Sequence, residues 1–169
     1  MLPLEIQRCK QQKNNFGIKM IRGAYMNEER ALAEEKGCES PVWDTIEETH
    51  NCYNSNLEQI LRNVEGNDCV FVASHNQDSV EVAKKVIKER KISPANVRFG
   101  QLKAFSDQIT QSLALENHQV FKYLPYGPTE KVMPYLVRRG QESKQVLREQ
   151  KFQNEFLKSE IKARLLRRY

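Results

Sequence analysis

The sequence predicts an α/β fold in which strands and helices alternate along the chain. Three observations carry this reading. Four short apolar runs rich in β-formers recur between residues 16 and 124. A segment of helical character follows each run. Polar residues cluster where the runs end. Such alternation argues a parallel sheet with helices laid on its faces.

The first run is Phe16-Gly17-Ile18-Lys19-Met20-Ile21, ending at Arg22-Gly23-Ala24-Tyr25. A loop is expected next, and then Thr45-Ile46-Glu47-Glu48 forms a capping box before a helix running to about Val64. Cys69-Val70-Phe71-Val72-Ala73 is a continuous apolar run typical of a strand buried on both faces, and it stops at Ser74-His75-Asn76. In the following segment, Ser79 to Lys91, the residues Val80, Ala83, Val86 and Ile87 fall on one helical stripe. Asn96 to Leu102 reads as the third strand, with a helix from about Ser106 to Glu116. Gln119 to Leu124 reads as the fourth, stopped by Pro125-Tyr126-Gly127-Pro128, after which Thr129 caps a long helix.

None of the strand-to-helix turns carries GxGxxG or GxxxxGK[ST], so neither the usual dinucleotide fingerprint nor a P-loop is supported. Instead Arg22, His75 with Asn76, Gln101 and Tyr123 sit at strand ends. In a (β/α) barrel the active site collects at that rim. Four βα units make half of an eight-stranded barrel, which typically needs ~250 residues. The chain reads as a portion of one.

Composition excludes several classes. With 169 residues, 39% of them hydrophobic, the chain has enough apolar surface for a core, so collagen-like and strongly disordered classes fall away. No apolar run approaches the ~20 residues that span a bilayer. The first fifteen residues turn polar early and read as neither signal nor transit peptide. Cys9, Cys38, Cys52 and Cys69 are scattered without a CxxC pair, which argues against a zinc site and suits a reducing compartment. No metal is expected. The net charge of +5 is concentrated at the C-terminus, where residues 138–169 hold ten Lys/Arg against four Asp/Glu. That tail reads first as a solvated basic helix. A contact with an anionic membrane surface stays open, whereas the aromatic interleaving of single-strand nucleic-acid binders is missing.

Tyr135, Arg138, Arg139 and Glu142 stand at i, i+3, i+4 and i+7, one face of a helix. Paired guanidiniums hold a carboxylate through charge-assisted hydrogen bonds, and Glu142 is spaced to brace both. The same spacing also suits a surface salt-bridge helix. Pro134 inside this helix is a local conflict of the kind functional sites tolerate.

Ile21 to Met26, Ala73-Ser74-His75-Asn76, Phe99-Gly100-Gln101-Leu102, Lys122 to Pro128 and Val132 to Arg139 together resemble the proline dehydrogenase family, in family order from about Phe16 to Glu142. The pairing of Tyr-x-Pro-Tyr-Gly with Tyr-Leu-x-Arg-Arg is the specific part. The resemblance implies the C-terminal half of a (β/α)8 TIM-type barrel over residues 1–143; beyond it, Leu147, Phe152, Phe156, Leu157, Ile161 and Leu165 at near-helical spacing predict a basic C-terminal helix over 144–169. It implies FAD-dependent oxidation of L-proline to Δ1-pyrroline-5-carboxylate, with ubiquinone as electron acceptor and a mitochondrial location.

By the same resemblance Lys19, Tyr123, Arg138 and Arg139 are the catalytic residues. Leu102, Tyr123, Tyr135, Arg138, Arg139 and Glu142 bind substrate, the two arginines on the proline carboxylate and the tyrosines against the ring. Lys19 hydrogen-bonds the flavin ring near N5. Arg22, Gly23 and Ala24, with Ser74, His75 and Asn76, line the rest of FAD, and Tyr25 stands near the pocket mouth. A lysine on an apolar strand is costly unless something answers it, which adds weight to Lys19.

The chain departs from the family pattern at Ala104, Phe105, Gly140 and Ser143. The N-terminal half of the barrel is not in this sequence, so the chain alone is expected to bind FAD weakly or not at all. Two other readings stay open: hydroxyproline dehydrogenase, which Tyr123 disfavours because that relative carries serine there, and a non-catalytic half-barrel fragment.

Overall fold

The computed structural model describes residues 2–103, 105–142 and 150–166. Four strands form one sheet in the order β1-β2-β3-β4: Gly17–Met20, Cys69–Ala73, Val97–Leu102 and Gln119–Tyr123. Seven helices are described: α1 (Leu2–Gln11), α2 (Met26–Lys36), α3 (Ile46–Arg62), α4 (Gln77–Arg90), α5 (Asp107–Leu115), α6 (Thr129–Glu142) and α7 (Gln150–Leu166). Contacts divide the chain into two compact units, Met1–Gly100 and Gln101–Tyr169.

In the first unit β1 pairs parallel with β2, and β2 with β3. Ile18 stands beside Val70, Val70 beside Val97, and Val72 beside Phe99. Val70, Val72, Val97 and Phe99 are buried on one face of the sheet, as are Leu57, Ile60 and Leu61 of α3 and Val80, Ala83, Val86 and Ile87 of α4. That is the core of this unit, and the stripe on α4 is the one the spacing predicts. Thr45 caps α3 as expected: its hydroxyl accepts from Glu48 N, and Glu48 answers to the Thr45 backbone.

The opposite sheet face is only half covered. Strand β2 is not buried on both sides as its apolar run predicts: Val70 and Val72 are buried, while Cys69, Phe71 and Ala73 are half-buried. Helices α3 and α4 supply the core on one side alone. On the other side lies the row Lys19, Phe71 and Arg98, set in register across three strands. Lys19 is exposed, so the cost of burying a lysine does not arise at this position.

At the other end of the strands, buried Asp68 accepts hydrogen bonds from Phe16 N and Glu65 N, each at 2.9 Å. Asn96 donates to Asp68 O at 2.7 Å and to Gly66 O at 2.9 Å. These bonds fasten the starts of β1, β2 and β3 to one another.

Helices α1 and α2 do not emerge from the sequence pattern. The segment read as a loop after Tyr25 is helical from Met26 to Lys36 and stopped by Gly37 in the left-handed conformation, φ 61°. Its residues are good helix formers but only Ala33 is buried, so no apolar stripe marks it. In α1 Ile6 is a buried anchor.

In the second unit Lys103 N donates to Tyr123 O at 3.0 Å, setting the end of β3 beside the end of β4. Lys122 Nζ donates to Phe105 O at 2.6 Å and pairs with Asp107 at 2.8 Å, which ties β4 to the start of α5. Ile109 and Leu113 bury the inner face of α5. Thr129 is the first residue of α6 rather than the residue before it. Along α7, Leu157, Ile161 and Leu165 form an exposed stripe beside Lys158 and Lys162. Among the described residues no helix is long and apolar enough to cross a membrane.

Candidate functional site

The first unit gathers polar side chains where β1 and β2 end. The turn after β1 holds Gly23 at φ 64° and Tyr25 at φ 58°, both left-handed. For a tyrosine that conformation costs roughly 1–2 kcal/mol, so surrounding contacts must hold it. The side-chain contacts of this turn converge on Arg22. Its Nη1 lies 2.8 Å from His50 Nδ1, its Nη2 donates to Ser79 Oγ, and its guanidinium carbon stands 4.4 Å from the centre of the Tyr53 ring. Burial lowers the Arg22 pKa, opposed by the nearby Tyr53 and Asp78. Burial likewise pushes the Tyr53 phenol up to about 12, with Arg22 and a Ser74 hydrogen bond acting against it.

The same network reaches the segment after β2. Ser79 Oγ donates to Asn54 Oδ1 at 2.6 Å, and Asn76 Oδ1 accepts from Ser79 N at 2.9 Å, capping α4. Ser74 is buried, and its hydroxyl accepts from Asn76 N at 3.1 Å. Thus Arg22, Ser74 and Asn76 are brought together. Gly23, Ala24 and Tyr25 lie exposed beyond Arg22, and His75 is half-buried. Lys19 stands apart from this network, on the face it shares with Phe71.

The sequence reading missed His50, Tyr53, Asn54 and Ser79. The first three fall at i, i+3 and i+4 of a capped helix, and that polar cluster on one face was the available signal.

In the second unit the Tyr123 and Tyr135 rings lie 5.7 Å apart and tilted by 52°. The Arg139 guanidinium carbon is 5.3 Å from the Tyr135 ring centre. Tyr135 has its pKa raised, first by burial and then by Tyr123, while Arg139 and Arg138 pull the other way. Tyr123, Tyr135 and Arg139 therefore form one cluster. Tyr123 is exposed, Tyr135 and Arg139 are half-buried, and Arg138 is exposed one position along α6. Leu102 ends β3 half-buried, on the strand next to that of Tyr123. The side chain of Glu142, and residues Ala104 and Ser143, lie outside the described part of the structure. An aromatic wall beside a cation suits a small amino acid: the cation answers a carboxylate and the rings cover apolar carbons.

A parallel α/β sheet whose polar side chains collect at strand ends defines the class, since ligands of such sheets bind at that edge. The family model described as proline dehydrogenase matches residues 2–151. The chain belongs to the proline dehydrogenase family. It is 41% identical to "Proline dehydrogenase 1, mitochondrial" of Drosophila melanogaster over 96% of its own length and 26% of that protein. It is 42% identical to the hydroxyproline dehydrogenase of Bos taurus, over 90% of this chain and 34% of that one. Among solved structures, proline utilization A from Bdellovibrio bacteriovorus, inactivated by N-propargylglycine, superposes with a TM-score of 0.75 at 22% identity. That match covers 84% of this chain and 15% of the bacterial protein. The chain thus spans about a quarter of the length of the fly relative.

Proposed function

We propose that this chain is the C-terminal half of a (β/α)8 barrel, residues 1–143 with a terminal helix over 144–169, in a flavoenzyme that oxidises L-proline to Δ1-pyrroline-5-carboxylate. The half-covered sheet face with Lys19, Phe71 and Arg98 supports the barrel reading, because such a face suits the interior of a closed barrel. The single observation that carries the substrate reading is the cluster of Tyr123, Tyr135 and Arg139. Arg138 and Arg139 bind the proline carboxylate, Glu142 braces them, and Tyr123, Tyr135 and Leu102 cover the pyrrolidine ring. Holding one ring carbon in place is an orientational task that a rigid carboxylate clamp performs.

The residues of the first unit fit a flavin. Lys19 offers an exposed ammonium on the half-covered face, suited to the electron-rich edge of the ring. The exposed backbone at Gly23 and Ala24 leaves room for close approach, and Ser74, His75 and Asn76 form the second lining segment. When bound, FAD supplies the two-electron acceptor of the reaction. Electrons pass onward to ubiquinone, in the mitochondrion by analogy with the fly relative's printed name. The exposed apolar stripe and lysines of α7 support contact with an anionic membrane surface.

The test is a titration of the full-length enzyme carrying Arg138→Ala or Arg139→Ala. Proline KM is expected to rise at least tenfold while flavin content holds. Equal loss of both would remove the clamp.

The 42% identity to a hydroxyproline dehydrogenase supports a second substrate reading. Tyr123, tilted against Tyr135, leaves less room for a ring hydroxyl and favours plain proline. Flavin bleaching by L-proline but not by 4-hydroxyproline decides between them.

A further inference from the structure

The contacts of Arg22 carry an inference about how the turn after β1 is held. A guanidinium has only donors, so the 2.8 Å contact with Arg22 Nη1 makes His50 Nδ1 the acceptor. The other arm of the same guanidinium ends on Ser79, which is fully buried and already bonded to Asn54 and Asn76. Tyr53, one turn after His50 on α3, supports the guanidinium from its face. One planar cation is thereby held on three sides by side chains from two helices. It is the last residue before the left-handed Gly23 and the strained Tyr25. Both Nη atoms of Arg22 are consequently engaged inside the fold, while its buried Nε has no hydrogen-bond partner, so these contacts set the shape of the turn.

We propose that His50 is a positioning residue: by accepting from Arg22 it fixes the 22–25 turn in the form that receives the cofactor. The inference rests on the flavin reading given above, since that reading puts FAD against this turn. Ser79 is its second anchor. Both act through Arg22 and neither touches the reacting atoms. A merely structural role would tolerate any side chain of suitable size at His50. The positioning role requires an acceptor where Nδ1 stands.

The experiment uses the full-length enzyme with His50→Leu, His50→Asn and, as a second disruption, Ser79→Ala. Asparagine keeps an oxygen near the place of Nδ1. Three quantities are read: FAD affinity of the stripped protein by flavin fluorescence quenching, amide exchange of residues 22–25 without FAD, and proline KM. His50→Leu and Ser79→Ala are expected to weaken FAD about tenfold and to speed exchange in the turn. Proline KM at saturating FAD should stay within twofold, and His50→Asn should recover most of the loss. Wild-type exchange in His50→Leu overturns the proposal, as does equal weakening in His50→Leu and His50→Asn. A wild-type enzyme that binds no flavin overturns the functional reading instead, and the exchange of the turn still reports whether His50 holds it.

Discussion

The ring of Phe71 lies directly against the backbone of Gly100: a β-carbon placed on Gly100 would meet Phe71 Cε1 at 2.3 Å and Cζ at 2.5 Å. The two residues stand on neighbouring strands, Phe71 beside Arg98 and Ala73 beside Gly100. Glycine is required here for space, since its backbone is not left-handed. Gly100→Ala is therefore expected to destabilise the protein by about 1–3 kcal/mol through overpacking. Phe71→Leu in the same chain should recover much of that loss. A double-mutant cycle in urea checks it, and coupling below about 0.5 kcal/mol would mean the ring yields freely.

Asp68 offers a second test. Its carboxylate satisfies two backbone N–H groups, of Phe16 and Glu65, at a buried position. Asp68→Ala leaves both without that acceptor, at about 1–3 kcal/mol for each buried group left unsatisfied. Asp68→Asn keeps one oxygen and should lose less. Thermal unfolding of the two variants gives the order, and the reverse order would count against this account of the strand starts.

Tyr53 governs behaviour at high pH. Burial raises its phenol to about 12, above the ordinary value of 10.0, so the unfolded chain releases this proton first. Stability should therefore be intact below pH 10.0 and fall as pH rises from there towards about 12, by roughly 3 kcal/mol from this group. Tyr53→Phe removes that portion of the alkaline loss. Denaturant unfolding between pH 9 and 12 checks it: equal slopes for wild type and variant would show that another group is responsible.

Much of the architecture is legible in the residue order. The capping box at Thr45 and the stripe of Val80, Ala83, Val86 and Ile87 are local patterns, and each lies within one helix. Helix α2 is not legible in the same way, because its exposed sequence has propensity without periodicity. In each unit the candidate residues are legible as strand-end positions, Arg22, Ser74 and Asn76 in the first and Tyr123 in the second. The partners of Arg22 are not, since His50 and Ser79 lie 28 and 57 residues further along the chain.

The chain itself determined the alternation of elements, the caps, and which residue types sit at each strand end, because hydrophobic period and side-chain chemistry act over a few neighbouring residues. Tertiary structure decided which face of β2 is covered, that Lys19 lies in the open, that Gly100 must leave room for Phe71, and that Arg22 is held by His50, Tyr53 and Ser79. Those outcomes depend on which distant segments register against one another. Parallel pairing sets that register through contacts that no local window of sequence contains.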